Sequence, residues 1–480
     1  MRARFIAPML ALLLASCGGG SGSGTTPPAP SFTSAQTASI VENTTAAYQA
    51  SANNPGGGTL AFSIDGGADA ARFTITAAGA LGFVEAPDYD LPGDADGDNV
   101  YAVRLRVSDG RSEATQPVNI TVTNSREGIA VTRIATGFDH PVAIESLGNA
   151  AYFLVAEKGG AIYTVRTDGT RTLWKQISDI STSGDGGILG LHVYGNFRLT
   201  ARALVAVTAA DGAIEIRDYL YTNAGDTGTP RPDATVFRIP RTGAETLHAV
   251  MNGNLLATSD GGNPANAQNP DSQLGKLLRF QIGDPRQGPE PVLSPAPGNP
   301  YLAGGGDPYV FAMGLRDPRY ISSTVTFLTD SGPAAQEINR LPIGQGGANF
   351  GWPFRDGTQD RQSGAPANLV DPVAQYLAGT GPGQGSAIVG GLLYDSPRIP
   401  SLMNQYIFAD RVSGHIWSVP VSGLVAGQTL PASRFARRNE DFMPDAGSLD
   451  QIVSMGFGSD ARDLYLVTAA GDLFWVHPAS

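Results

Sequence analysis

One arrangement of residues recurs through the C-terminal three quarters of the chain and constrains its fold more than any other feature. An aromatic and apolar run, a short polar turn and a second apolar run occur at 151–165, 405–419 and 463–476. Each segment predicts one β-hairpin. Recurring hairpins are typical of a β-propeller, and about 350 residues at roughly 50–60 per blade predict six blades. We expect the strand at 129–135 to pair with the last blade and close the ring.

The composition favours the same class of fold. The chain has 61 Gly and 34 Pro, and it lacks a sustained helical period, so short strands and tight turns are favoured over long helices. The formal net charge is −12, whereas a nucleic-acid-binding protein needs clustered Lys and Arg side chains. We therefore expect no nucleic-acid partner. The same acidity suits cation binding where carboxylates converge.

The N-terminus predicts export. Residues 1–17 contain two Arg, then an apolar run too short to span a bilayer, then small residues that end in a sequence resembling the bacterial lipobox. Cys17 is the only cysteine, so we predict that it is lipidated; the alternative is an ordinary signal peptide with a chance cysteine. The residue directly after Cys17 is Gly18, and this resembles lipoproteins of the outer membrane, which face the periplasm or the cell surface. Residues 18–31, rich in Gly, Ser and Pro, predict a flexible tether.

Residues 32–126 predict a separate β-sandwich of about seven strands, because short alternating segments are separated by Gly, Asp and Pro turns. The pieces IVEN, PDYD and DADGDNVYAVRLRVSDG make this domain resemble bacterial cadherin-like repeats. The resemblance implies that Glu42, Asp88 and Asp90 bind Ca²⁺ at one end of the sandwich. It also makes self-association through this domain an expectation.

Three further carboxylates, those of Asp94, Asp96 and Asp98, alternate along one loop of the sandwich. Carboxylates on alternate residues of a turn can converge on one hard cation. The twelfth position from Asp94 is Leu105 rather than Glu, so the loop is not an EF-hand. A calcium site and a solvated acidic turn both remain open.

Six stretches, in family order, make residues 127–480 resemble the glucose/sorbosone dehydrogenase family. Its members are six-bladed propellers, and the active ones oxidise sugars with pyrroloquinoline quinone (PQQ). The expected fold is therefore all-β, with a cadherin-like sandwich followed by a six-bladed β-propeller. The stretches are DGGILGL (185–191), NGNLLATSDGGNPANAQNPDSQLGKLLRF (252–280), NPYLAGGGDPYVFAMGLRDPRY (299–320), DSGPAAQEINRL (330–341), GGANFGWPFRDG (346–357) and GGLLYDSPRIPSLMNQYIFADRVSGHIWSV (390–419).

The resemblance implies a set of cofactor-binding residues. Asp260 and Gln268 lie in a long polar loop that crosses the cofactor-bearing face in the family; the alternative is that they only bond within the loop. Arg316 matches the arginine that faces the quinone, although Asp317 replaces the family's Asn. Asp185 stands where relatives have Gln or Glu. The stretch 451–460 lacks the paired Arg that hold PQQ carboxylates in active members.

The residue expected to act as a base is absent from its place. Sugar oxidation by PQQ needs a base for the hydroxyl proton, and in active members it is a His in a stretch that matches 242–247. Thr242 stands at that position, and Thr has no usable pKa near neutrality. His248 follows six residues later in an apolar run, where a structural role is the favoured interpretation.

A second metal site is implied in the propeller. The stretch GPAAQEIN at 332–339 resembles the family's calcium segment, with Gly332 and Pro333 supplying carbonyl oxygens and Glu337 a carboxylate. Carbonyl and carboxylate oxygens suit a hard cation. The alternative is a turn followed by a strand that carries a surface Glu.

Two functions remain open. One is a PQQ-dependent and calcium-dependent dehydrogenase of aldoses or polyols. The other is a non-catalytic lipoprotein that binds a glycan or a protein, in which a propeller without its base is presented by the sandwich and the tether.

Overall fold

The computed structural model is almost wholly β, which confirms the predicted fold class. No helix among the described residues is long and apolar enough to cross a bilayer. The signal peptide, Cys17, the tether up to residue 27 and Thr242 lie outside the described residues. Those are 28–147, 152–196, 200–221, 234–240, 248–283, 293–322, 327–341, 344–458 and 463–479.

The chain divides into two compact units, 1–87 with 92–123, and 88–91 with 124–480. The strands of the first unit are β1 Ser31–Phe32, β2 Thr37–Val41, β3 Ala46–Gln49, β4 Ala52–Asn53, β5 Ala61–Gly66, β6 Phe73–Ile75, β7 Ala80–Phe83, β8 Val100–Ser108 and β9 Glu113–Thr123. They form two sheets, in the orders β2-β9-β8-β5 and β3-β7-β6, and a short β1-β4 pair. Phe83 and Tyr101, with ring centroids 5.0 Å apart, pack one sheet on the other, which makes a β-sandwich.

The second unit begins with one closing strand and continues through the first three sheets of a propeller. In chain order its elements are β10 Ile129–Ala135, β11 Pro141–Ser146, β12 Tyr152–Glu157, β13 Ala161–Arg166, β14 Arg171–Gln176, β15 Ile188–Asn196, β16 Thr200–Thr208, β17 Ile214–Tyr221, β18 Ala234–Ile239, β19 Ala249–Asn252, β20 Leu255–Thr258, α1 Ala265–Gln268, β21 Lys276–Ile282, β22 Leu293–Pro295 and β23 Val310–Met313.

The remaining strands complete the propeller. They are β24 Pro318–Ile321, β25 Phe327–Ser331, β26 Ala335–Arg340, β27 Ala348–Asn349, β28 Arg355–Asp356, β29 Gln359–Asp360, β30 Ala374–Ala378, β31 Gln384–Gly385, β32 Ile388–Tyr394, β33 Gln405–Asp410, β34 Ile416–Pro420, β35 Leu430–Pro431, β36 Ala436–Arg437, β37 Ile452–Phe457, β38 Leu464–Thr468 and β39 Leu473–Pro478.

These strands form six blades around a ring. From the inside outward the four-stranded cores are β11 to β14, β15 to β18, β19-β20-β21-β23, β24-β25-β26-β30, β32-β33-β34-β36 and β37-β38-β39-β10, numbered here as blades 1 to 6. The innermost strand of each blade contacts that of the next, and β37 contacts β11. The N-terminal strand β10 pairs antiparallel with β39, so blade 6 joins both ends of the propeller. The predicted ring closure is confirmed.

The propeller core lies between neighbouring blades. The rings of Phe153 in blade 1 and Tyr465 in blade 6 are 4.2 Å apart, and Phe327 in blade 4 packs edge-on against Tyr406 in blade 5 at 4.9 Å. Phe153, Tyr406 and Tyr465 belong to the apolar runs that predicted the hairpins. Their burial fixes each blade against its neighbour and so positions the strand ends around the ring.

Candidate active site

A cavity of about 510 Å³ lies where the innermost strands of all six blades begin. Each of these strands contributes residues at or next to its N-terminal end, and the turns after β12, β33 and β38 complete the wall. Strands one and two of a blade are antiparallel, so the start of the first and the end of the second meet at one face of the ring. A concave space of about 300–1,000 Å³ is typical of a small-molecule site.

His248 immediately precedes β19 and lines this cavity. Its Nδ1 lies 2.5 Å from Asp317 Oδ1, and its Nε2 lies 3.5 Å from Asp185 Oδ2 and 3.4 Å from a guanidinium nitrogen of Arg319. Arg319 also donates a hydrogen bond to the second carboxylate oxygen of Asp317. A carboxylate at Nδ1 holds the proton on that nitrogen and leaves Nε2 as the proton acceptor. The contact with Asp317 therefore orients His248 so that its Nε2 can accept a proton.

Asp317 is held as an anion in this arrangement. Burial raises the pKa of Asp317, but the hydrogen bond and charge of His248 and the charge of Arg319 outweigh burial and hold that pKa below its usual value. Behind it, the buried Asp330 accepts hydrogen bonds from the backbone N–H groups of Arg316 at 2.9 Å and Asp317 at 2.6 Å. Burial raises the pKa of Asp330 to about 7. These bonds fix the turn that presents Asp317 to His248.

The long polar connection between β20 and β21 encloses a buried ammonium group. Lys276, the first residue of β21, is fully buried, and its Nζ donates hydrogen bonds to the carbonyl oxygens of Asn266, Ala267 and Leu274. Burial lowers the pKa of Lys276 to about 7, while three carbonyl oxygens complement its three donors. A loop with little apolar surface is thus folded around one side chain.

The loop residues Asp260 and Gln268 make hydrogen bonds within the protein. Asp260 accepts from the indole N–H of Trp352 at 2.8 Å, and Gln268 exchanges hydrogen bonds of 2.8 and 3.0 Å with the side chain of Asn349. Neither residue is among those that line the cavity. Their assignment to a cofactor stays a prediction, and their contacts are those of the alternative, in which they hold the loop.

A protein-family model identifies the family to which this propeller belongs. The model of the family described as Glucose / Sorbosone dehydrogenase matches residues 138–437, more than half of the chain. The chain belongs to the glucose/sorbosone dehydrogenase family.

Solved structures agree with this family's fold. The soluble aldose sugar dehydrogenase of Escherichia coli, in its apo-form, is 19% identical and matches with a TM-score of 0.56, covering 73% of this chain and 99% of that one. A glucose dehydrogenase is 17% identical, also with a TM-score of 0.56, covering 73% of this chain and 100% of its own. These likenesses show that the chain has the propeller fold of this family.

Within this glucose/sorbosone dehydrogenase propeller, His248 is the residue that the sequence interpretation passed over. A match to the family's stretch put the base at Thr242 and favoured a structural role for His248. The structure places His248 on the cavity wall instead. One signal was present in the sequence: His248 directly precedes the first run of a hairpin, and in a propeller that position borders the central channel.

Asp185 and Arg316, two other residues predicted to bind the cofactor, differ in whether they line the cavity. Asp185 lines the cavity and faces His248. The guanidinium of Arg316 donates to the carbonyl oxygen of Ser331 at 2.8 Å and lies over the Trp352 ring, and Arg316 is not among the lining residues. Arg319, which the sequence analysis did not single out, lines the cavity.

The residues predicted to bind a propeller cation are engaged with protein donors. Glu337 is buried, and its two oxygens accept from Asn339 Nδ2 at 2.9 Å and from the backbone N–H of Gly357 at 2.5 Å. The carbonyl oxygen of Gly332 accepts from Gln336 Nε2 at 2.7 Å. These contacts do not fit a preformed calcium site that uses Gly332, Pro333 and Glu337, so we derive no step through a cation there.

The acidic loop of the N-terminal half brings three predicted calcium ligands together. One carboxylate oxygen each of Asp94, Asp96 and Asp98 lies within 4.8 Å of the others, while Asp94 also caps the turn by accepting from the N–H groups of residues 97 and 98. Glu42 is buried in the first unit. Asp88 accepts hydrogen bonds from the N–H groups of residues 90 and 91.

Asp90 belongs to a buried ionic cluster of the second unit. Nη1 of Arg438 lies 2.5 Å from Asp90, 2.6 Å from Glu127 and 3.0 Å from Asp441. Three carboxylates therefore surround one guanidinium nitrogen. Burial raises the pKa of Asp90 to about 9 although Arg438 opposes that rise.

Proposed function

We propose that this protein is a PQQ-dependent sugar oxidoreductase in which His248 accepts the proton of the hydroxyl group that is oxidised. The observation that carries the proposal is the placement of His248 on the cavity wall, with Nδ1 against Asp317 and Nε2 towards the cavity residues Asp185 and Arg319. The family membership supports the reaction class. The assignment replaces the missing base at Thr242.

Each residue of the cavity wall has its own role in the proposed reaction. His248 Nε2 takes the hydroxyl proton, and the imidazolium that forms is stabilised by the carboxylates of Asp317 and Asp185. Arg319 keeps Asp317 ionised and limits its movement. When bound, PQQ supplies an electron-poor quinone that accepts a hydride from the carbon bearing the hydroxyl. The sugar is thereby oxidised by two electrons.

The cavity suits an anionic cofactor of this size. Lys158, Arg319 and Arg411 line it, against one lining carboxylate, that of Asp185. PQQ carries three carboxylate groups, so an excess of cations favours its binding. The volume of about 510 Å³ lies within the range of small-molecule sites.

Calcium binding and membrane attachment complete the proposal. We place a calcium site at Asp94, Asp96 and Asp98, supported by the approach of their carboxylates. The predicted lipidation of Cys17 and the export signal support an outer-membrane lipoprotein that oxidises sugars outside the cytoplasm. The cadherin-like resemblance of the first unit supports self-association on that surface.

The decisive experiment combines calorimetry and turnover. The full chain, purified in detergent, is titrated with PQQ with and without Ca²⁺, and dye reduction is followed over a panel of aldoses and polyols. We expect stoichiometric PQQ binding and sugar-dependent dye reduction. His248→Gln is expected to lower kcat by about 10²–10⁴-fold and to leave PQQ affinity within about threefold.

The matched control is His192→Gln, which changes an imidazole bonded to Glu145 and outside the cavity lining. Equal activity of His248→Gln and the wild type would remove His248 from the reaction. Sugar or glycan binding without PQQ binding would favour the alternative, a non-catalytic binding lipoprotein.

A further inference from the structure

One backbone position recurs in all six blades and borders the cavity. It is the residue directly before the innermost strand, and its carbonyl oxygen accepts a hydrogen bond of 2.9–3.1 Å from a backbone N–H at the end of the second strand. The six positions are therefore equivalent and form one ring. From blade 1 to blade 6 they hold His140, Gly187, His248, Asp317, Ala387 and Gln451.

The polar residues of this ring form two pairs. Blades 3 and 4 carry the proposed base His248 and its partner Asp317. Blades 6 and 1 carry Gln451 and His140, and both of these residues line the cavity. The two remaining blades, 2 and 5, carry only Gly and Ala. In a six-membered ring, blade 6 stands opposite blade 3 and blade 1 opposite blade 4, so the second polar pair occupies the positions across the ring from the first.

Gln451 and His140 hold a backbone conformation that disfavours a side chain. Their φ angles are 56° and 49°, in the left-handed region where glycine costs least. The register of β11 and of β37 shifts directly after these residues, and such bulges next to a site re-aim a side chain. The two strands also contact each other, so the two residues begin neighbouring strands. Side chains are retained here at a conformational cost, which indicates that they have a task at the cavity.

The two side chains offer complementary hydrogen-bonding groups. His140 Nδ1 lies 2.7 Å from Asp139 Oδ1, which holds the ring proton on Nδ1 and leaves Nε2 as an acceptor. The Gln451 side chain makes no hydrogen bond within the described part of the chain, and an amide has both N–H donors and an acceptor. Both side chains are exposed where they line the cavity. A hydroxyl group donates and accepts at once, so this pair matches a neutral polyhydroxy ligand.

From these observations we infer that His140 and Gln451 bind the sugar hydroxyl groups that are not oxidised, and so determine which polyhydroxy substrate is accepted. The inference deepens the proposed function and rests on it for the reaction at His248. A hydroxyl group held at the far rim contributes the same binding energy before and during proton transfer. Loss of that contact therefore raises KM and leaves kcat nearly unchanged.

Glycine at these two positions separates recognition from stability. We expect His140→Gly and Gln451→Gly, in the full chain in detergent and loaded with PQQ, to raise KM about tenfold for the best substrate among D-glucose, D-galactose and D-xylose, with kcat within about threefold. The urea unfolding midpoint is expected to stay the same or to rise, because glycine adopts the left-handed backbone without a steric cost.

The matched control is Asn368→Gly, which changes an exposed residue with a φ of 66° between β29 and β30, outside the cavity lining. The control removes a side chain from the same backbone conformation, and its KM is expected to be that of the wild type. Saturation-transfer NMR with the same three sugars measures binding without turnover.

Each outcome decides for or against the subsite. A raised KM in both cavity variants and not in Asn368→Gly supports the inference. Sugar binding that the cavity variants lose, in a protein that reduces no dye with PQQ, would sink the proposed function and keep the subsite. Equal KM and equal sugar binding in the wild type and both cavity variants would overturn the inference, as would a lower kcat at unchanged KM. A wild type that neither oxidises nor binds any of the three sugars would overturn it as well.

Discussion

His248 Nδ1 and Asp317 Oδ1 lie 2.5 Å apart, and this contact joins the start of blade 3 to the start of blade 4. Each residue directly precedes the innermost strand of its blade. In the sequence, Asp317 is a departure from the family's Asn. In the structure, the same carboxylate contacts Nδ1 of His248 and so orients its imidazole. Under the proposed function, this departure from the family's Asn supports the base that Thr242 does not supply.

We expect Asp317→Asn to lower kcat by a larger factor than it changes KM. The amide keeps the size of the side chain but removes the charge that stabilises the imidazolium formed in the reaction, so proton transfer to His248 becomes less favourable. A loss of about 10²–10⁴-fold in kcat is expected from steady-state dye reduction. Asp360→Asn changes an exposed carboxylate that pairs with Arg355 and serves as control. A kcat of Asp317→Asn equal to that of the wild type would exclude Asp317 as the orienting group.

Lys276→Met tests whether the buried ammonium group of Lys276 stabilises the loop that encloses it. The substitution leaves three carbonyl oxygens of the loop without their donor, and we expect a loss of about 2–5 kcal/mol in the free energy of unfolding. Urea unfolding followed by tryptophan fluorescence measures it. Lys175→Met, in the outer strand β14, is expected to change stability by less than about 1 kcal/mol. Equal losses in both variants would show that the carbonyl cage does not stabilise the loop.

The sequence predicted the propeller better than its site. Hairpins such as 405–419 carry their period-two pattern locally, and ring closure follows because the strand at 129–135 is left without a partner of its own. The site depends on which residues precede the innermost strands, and that depends on strand register. A family match that puts Thr242 at the position of the base therefore does not indicate that His248 lines the cavity. The burial of Lys276 is equally hidden, since a lysine at a strand start usually faces solvent.

Glu337 makes stability depend on pH. Burial raises the pKa of Glu337 to about 8, with Asp330 adding to the rise. Between about pH 5 and 8 the folded protein therefore holds a proton that the unfolded chain has lost, so stability falls as pH rises, by up to about 1.4 kcal/mol per pH unit. We expect Glu337→Gln to make this slope shallower in EDTA, because the neutral amide has nothing to titrate, while Asp330 and Asp90 still contribute to it.

The Glu337→Gln variant keeps an acceptor for the N–H of Gly357. Asn339 Oδ1 is buried without a hydrogen-bond partner among the described residues, so a flip of the Asn339 amide provides an acceptor for the new amide donor. Urea unfolding at about pH 5.5, 6.5, 7.5 and 8.5, a range that brackets the titration, measures the slope, with Glu113→Gln on the exposed end of β9 as control. Parallel slopes in Glu337→Gln and wild type would contradict the prediction.

Addition of Ca²⁺ in place of EDTA tests the family's cation at the same residue, since bound calcium would favour the ionised form and reverse the wild-type slope.

Arg438 is the single cation among three carboxylates, and Arg438→Met is expected to destabilise the protein by about 3–5 kcal/mol at pH 8. Methionine leaves the carboxylates of Glu127 and Asp441 to repel each other in a buried place, beside Asp90, which burial keeps protonated at this pH. Protonation relieves this repulsion, so the folded variant takes up protons that the unfolded chain does not hold, and its deficit shrinks towards pH 5. Urea unfolding at both pH values measures the deficit. Arg398→Met removes a half-exposed pair with Asp463 and is expected to cost less than about 1 kcal/mol at either pH. A deficit of Arg438→Met that is the same at pH 5 and pH 8 would mean that packing of the arginine side chain, rather than its charge, holds this cluster together.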